Sequence, residues 1–128
     1  MERRAIIIDR SEHGSVEIYV DFKTANEILP FVFQDAVYKE FKDVRALLKG
    51  NLRNRQHYCK LNISVKAKNV FEMRFTRGRN DRIYCKEFRT GSKRRIVMIE
   101  LYQGKKSQHI PKQIKSRIEK MGSYEYHF

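Results

Sequence analysis

The sequence predicts an α+β domain, with a small, twisted, mainly antiparallel sheet of about 4–6 strands packed against one or two N-terminal helices and a C-terminal helix. Three observations predict it. Apolar residues alternate with a period of two over 16–22 and in several runs between 59 and 101, and they take helical spacing over 26–49 and after 110. The later strand runs are joined by short turn-rich segments and not by helices, which favours antiparallel pairing. The chain has 128 residues, 41% hydrophobic and 12% aromatic, enough for one core and too few for two, so residues 1–128 are expected to form a single domain.

Val16, Ile18, Val20 and Phe22 alternate with Glu17, Tyr19 and Asp21 as in a half-buried strand, and Ala5 to Ile8 suggests an earlier strand joined to it through a turn at His13-Gly14. Val37, Phe41, Val44 and Leu48 then fall on one helical stripe that Phe33 extends backward, with Gly50-Asn51 as its stop. Pro30 either opens this helix or separates it from a short preceding one around Ala25 to Leu29. Cys59, Leu61, Ile63 and Val65 mark the next strand, followed by Phe71, Met73 and Phe75, the turn Arg77 to Asp81, and a strand from Arg82 to Phe88. After Thr90-Gly91-Ser92, the run Ile96 to Leu101 is apolar on both faces except at Glu100, as a central strand would be. Ile110, Ile114, Ile118 and Met121 mark a last helix, with Pro111 in its first turn and Gly122 at its end.

Lys and Arg number 28 against 15 Asp and Glu, a net charge of +13, and the excess is uneven. Residues 1–48 carry 7 basic and 9 acidic side chains, whereas residues 49–128 carry 21 and 6. Such a cationic half calls for a polyanionic partner, and nucleic acid is the abundant one in the cytoplasm. A membrane partner is not expected: no apolar run approaches the roughly 20 residues of a bilayer span, the start MERRAIII lacks a secretory apolar region, and no basic helix has an inserting apolar face. The chain therefore reads as cytoplasmic. Cys59 and Cys85 lie in strand-like runs without ligand-spaced His or Cys, so both are expected to be buried free thiols and no metal or other cofactor is expected.

The pleat sorts the basic residues. With Phe71, Met73 and Phe75 facing the core, Arg74 points to the opposite face, and Arg82, Tyr84 and Lys86 share a face away from Ile83 and Cys85. Arg74 and Arg82 are thus expected on one sheet surface, with Lys105 and Lys106 at its rim beside Ser107, Gln108 and His109. Arg77 and Arg79 in the turn, and Arg94 and Arg95 entering the next strand, add phosphate-binding candidates. A cationic groove with a tyrosine and a histidine suits a phosphodiester, because guanidinium forks grip phosphate and aromatic faces stack bases.

The stretch VFEMRF, a polar turn, DRIYCKEF, another turn and RRIVMIELYQGKKSQHIPKQIKSRIEKM resembles the core of the RelE/ParE/HigB superfamily of bacterial toxins, most closely its phage-derived, Gp49-like HigB branch. The likeness runs from about Leu47 to Met121: an Arg-containing aromatic strand, a strand opening Arg-Ile-Tyr, a central strand ending in two basic residues, and a helix opened by Pro. The resemblance implies a RelE-like fold and a metal-independent endoribonuclease that cuts messenger RNA on the ribosome and is neutralised by a cognate antitoxin. Carried over by position, Arg74, Arg82 and Lys106 would be catalytic, with Lys105 beside them. The family's nearby tyrosine has no counterpart here, and His109, or Tyr124, Tyr126 or His127 of the tail, is the expected substitute. In that chemistry the 2′-hydroxyl attacks its own adjacent phosphorus, so the protein supplies positioning, charge stabilisation and proton transfer.

Other outcomes stay open. Arg74 and Arg82 could pair with Glu72, Glu87 or Glu100 across strands, Lys105 and Lys106 could be solvated turn residues, and His109 could cap the last helix. The alternatives in function are a ParE-like toxin acting on a protein target such as gyrase and a degenerate basic nucleic-acid-binding module.

Overall fold

A mixed sheet organises the molecule. In the computed structural model, which describes residues 2–52, 54–76, 80–104 and 111–128, the elements run β1 (Glu2–Arg10), β2 (Val16–Asp21), α1 (Ala25–Val32), α2 (Asp35–Lys49), β3 (Tyr58–Lys60), β4 (Val70–Phe75), β5 (Asp81–Thr90), β6 (Lys93–Tyr102), α3 (Lys112–Met121) and β7 (Glu125–His127). The strand order is β3-β4-β5-β6-β2-β1-β7. Strands β3 to β6 form an antiparallel meander and β1 is antiparallel to β2, while β2 with β6 and β1 with β7 are parallel. The class is α+β, but the sheet has seven strands and not 4–6. The excess comes from the tail, whose strand is three residues long and has no room for a periodic signal.

Both faces are covered. On one, Phe31 and Val32 of α1 and Phe41, Val44 and Leu48 of α2 pack on Val16, Ile18, Met73, Phe75, Ile83, Ile96 and Met98. On the other, Ile114, Ile118 and Met121 of α3 pack with Leu61, Ala67 and Val70 on Tyr19, Tyr84, Val97 and Ile99. This second layer changes the reading of β2, where all six residues are buried and not half of them. Its polar face is satisfied internally. Glu17 accepts from Tyr19 Oη at 2.9 Å and Arg95 Nε at 3.1 Å, and Asp21 accepts from Arg3 Nε at 2.8 Å and Tyr126 Oη at 2.6 Å.

The helical stripe is two helices. Pro30 lies inside α1, where it removes one backbone donor, and the break falls at Phe33-Gln34. The end of α2 is a Schellman motif, with Leu52 N–H donating to Leu47 O at 2.9 Å and Asn51 N–H to Leu48 O at 3.0 Å. Asn51, and not Gly50, takes the left-handed conformation, at φ 58°. The strand expected over 59–65 stops at Lys60, because residues 61–70 turn back, Leu61 N–H reaching Val70 O, to lie under α3. There Gly122 makes a close approach: a Cβ on it would stand 1.9 Å from Lys66 O. Cys85 is buried as expected, whereas Cys59 is only half-buried, and both are free thiols.

Candidate nucleic-acid interface

Register brings the strand arginines together. Arg74 of β4 is the direct cross-strand partner of Arg82 of β5, and Arg82 is in turn opposite Tyr102 of β6. They lie at the end of the meander from which the 77–79 and 105–110 connections leave. The described flanks of those connections are tied together, since Asp81 Oδ1 accepts from Gly104 N–H at 2.8 Å. Of the expected site residues, Arg77, Arg79, Lys105, Lys106 and His109 lie outside the described residues.

Glu72, fully buried on β4, controls this surface. Its Oε1 accepts from Arg74 Nε at 2.8 Å and stands 3.0 Å from Arg82 Nε. Arg74 is half-buried and also donates to Arg55 O, whereas Arg82 is 3% exposed and donates to Asp81 O. Across the strands, Arg117 of α3 meets Glu100 at 2.9 Å. Two carboxylates and three guanidiniums leave one net positive charge among these five groups, and the most accessible members are Arg74 and Arg117.

The other expected contacts are engaged inside the protein. Tyr84, the ring expected to stack a base, is 1% exposed beneath α3 and edge-on to Tyr102, and burial together with the Glu72 charge pushes its hydroxyl pKa up. Lys86 is also buried, and its Nζ donates to Gly122 O at 2.9 Å and Tyr124 O at 2.8 Å, closing the end of α3; burial, with Lys68 nearby, holds its pKa below the usual lysine value. Arg94 and Arg95 part to opposite faces. Arg94 forms a fork on Glu87, at 3.0 and 2.6 Å, and reaches Asn51, while Arg95 pairs with Glu17 under the Phe128 ring. The tail candidates meet β5 at Lys86 and Phe88, away from its Arg82 end, with the Tyr126 ring edge-on to Phe88 at 5.7 Å. Tyr126 serves Asp21, the Tyr124 ring lies 4.1 Å from the Arg3 guanidinium, and His127 stands 3.6 Å from Glu2.

Sequence reasoning missed Tyr102. A bulge in the β5·β6 ladder between Tyr84 and Cys85 adds Ile99 to β6, so the residue opposite Arg82 is Tyr102 and not the Leu101 of a regular ladder. Thr24 holds the bulge by donating from Oγ1 to Ile99 O at 2.7 Å. His57 was also passed over. Its carbonyl accepts from Arg74 N–H, and its Nδ1 lies 3.7 Å from Glu40, whose carboxylate accepts from Thr76 N–H and Oγ1 at the base of the 77–79 connection. No protein-family model matches the sequence, and no curated protein and no solved structure matches it significantly.

Proposed function

We propose that the chain is a RelE/HigB-type toxin that cuts messenger RNA on the ribosome in the cytoplasm, without a metal, and that a cognate antitoxin neutralises it. The observation that carries this reading is the row Arg74, Arg82 and Tyr102 across three adjacent strands, at the sheet end where both basic connections depart. Two helices ahead of an antiparallel meander and a Pro-opened helix after it are compatible with a RelE-like fold. In this scheme Arg74 contacts a nonbridging phosphate oxygen together with Lys105 and Lys106. Arg82, buried on Glu72, fixes the strand end and acts as a positioning residue. Tyr102 joins His109 as a candidate for proton transfer, and RNA supplies its own 2′-hydroxyl nucleophile.

A second reading is a basic RNA-binding module without cleavage, favoured by the hold of Glu72 on both strand arginines. The test is mapping of RNA ends in cells briefly expressing the chain, beside Arg74→Ala and Lys106→Ala. New ends within translated messages, lost on the order of a hundredfold in either variant, are expected of the nuclease. Growth arrest without new ends would move the weight to a protein target, and neither arrest nor ends to the binding module.

A further inference from the structure

Among the described residues, some cations are paired with carboxylates and others are not. Arg3, Arg45, Lys49, Arg74, Arg82, Lys93, Arg94, Arg95 and Arg117 each meet a carboxylate. Lys60, Lys66, Lys68, Lys112, Lys115 and Lys120 are exposed, and none of the six meets a carboxylate among the described residues. The other exposed cations that meet no carboxylate among the described residues, Arg4, Arg10, Lys23, Lys39, Lys42, Arg55 and Arg89, are spread over β1, α2, β5 and the connections. The six lysines, in contrast, all belong to α3 and to the 60–69 segment beneath it. The two are one surface. Ser64 Oγ donates to Glu119 Oε2 at 2.6 Å, Gly122 rests on the Lys66 backbone, and Leu61 and Ala67 share a core with Ile114 and Ile118. Residues 60–69 contain no acid and α3 contains one, Glu119, whereas the exposed lysines of α2 stand among Asp35, Glu40 and Asp43. The densest excess of unpaired positive charge in the described structure is therefore the surface formed by α3 and the 60–69 segment.

We propose that this surface binds the phosphate backbone of double-stranded RNA, apart from the Arg74 and Arg82 site. The chemistry selects the ligand. Lysines are compact point charges on flexible stems, suited to phosphates and without the rigid fork of arginine. The surface presents no aromatic ring, and single-strand binders need rings on which bases stack. Its exposed large apolar side chain is Val65, 95% exposed and flanked by Ser64 and Lys66, without the Trp or Phe that anchors a helix in lipid. From Lys112 to Lys120 the helix advances about 12 Å, a length over which a duplex presents several phosphate charges. The proposal rests on the toxin reading only for its choice of RNA over DNA.

The experiment measures binding of the full chain to a short RNA duplex as a function of salt. It compares Lys66→Glu/Lys115→Glu/Lys120→Glu with the charge-matched Lys23→Glu/Lys39→Glu/Lys42→Glu, both checked for an unchanged unfolding transition. The α3-side triple is expected to weaken binding at least tenfold and to reduce the slope of log K against log salt by about 2–3, and the matched triple less than threefold. Equal losses in the two triples would reduce the effect to net charge and overturn the proposal. Tighter binding to a DNA duplex of equal length would overturn the choice of RNA. Binding to phosphatidylserine vesicles in place of the duplex, lost in the same triple, would overturn it in favour of a membrane. RNA-end mapping reads the cleavage separately, so duplex binding confined to the α3 side in a chain that makes no cuts leaves this inference standing and removes the nuclease.

Discussion

Glu72 holds two guanidiniums on one carboxylate oxygen inside the protein. Glu72→Gln keeps the shape and removes the charge that Arg82 requires, so it is expected to cost about 3 kcal/mol or more in urea unfolding. Arg74→Ala, at a partly solvated position, is expected to cost about 1 kcal/mol or less. The buried hydroxyls give a second prediction. Burial, with Glu87 beside Tyr58, Glu72 beside Tyr84 and Asp21 on Tyr126, raises all three tyrosine pKa values. The folded state therefore holds these protons more tightly than the unfolded chain, and the resulting stability is full below about pH 10 and lost as pH rises through the folded values. Phenolate absorbance from these tyrosines should appear only together with loss of circular dichroism; ionisation of all seven tyrosines in a chain that keeps its native spectrum would contradict this. The pleat made the shared face of Arg74 and Arg82 legible in the sequence. The partnership of both with Glu72 stood there only as one option among three carboxylates, because period-two spacing fixes the face and says nothing about which acid is within reach.

At the scale of elements, the placements that decide the site are a bulge and a close approach, and neither has a periodic signature. Thr24→Val removes the hydroxyl that holds Ile99 O and is expected to cost about 1 kcal/mol. If Tyr102 serves the chemistry, the same change lowers cleavage more than the stability loss explains, which RNA-end mapping at matched folded fraction measures. Gly122→Ala would drive a methyl group into the Lys66 backbone, so a cost of about 1–3 kcal/mol is expected from thermal or urea unfolding. The alternating strands β2, β4 and β5 were legible, as were β6 from its continuous apolar run and α3 between its Pro and Gly. The apparent strand over 61–65 was not, since its alternating apolar residues face α3 from a turning segment and a solvent tip.

Across the whole molecule, most of the acidic side chains on the strands neutralise arginines, and the acid limb of stability follows from that. Burial opposes ionisation of Glu17, but Tyr19, Arg95 and Lys93 outweigh it and hold its carboxyl below the usual value. A depressed folded pKa contributes stability above about pH 4.5 that is lost as pH falls through the folded value. Glu17→Gln should lower stability at neutral pH and flatten the acid limb of a urea-midpoint profile; an unchanged limb would mean that the pair is energetically silent. The net charge read from the sequence located the excess in residues 49–128, but which of those cations are free depends on tertiary pairing that composition does not contain.

Asp21 acquires its partner Tyr126 from 105 residues downstream, on a strand that pairs with the first strand of the chain. At about 5–20 residues per second of synthesis, some 5–20 s separate the making of the two. Throughout that interval the edge of β1 that later receives β7 has no strand to pair with, and the carboxylate lacks its phenol. A nascent chain therefore passes through a period in which that edge is open to any other extended segment, and completion of the sheet awaits residues made more than a hundred positions later.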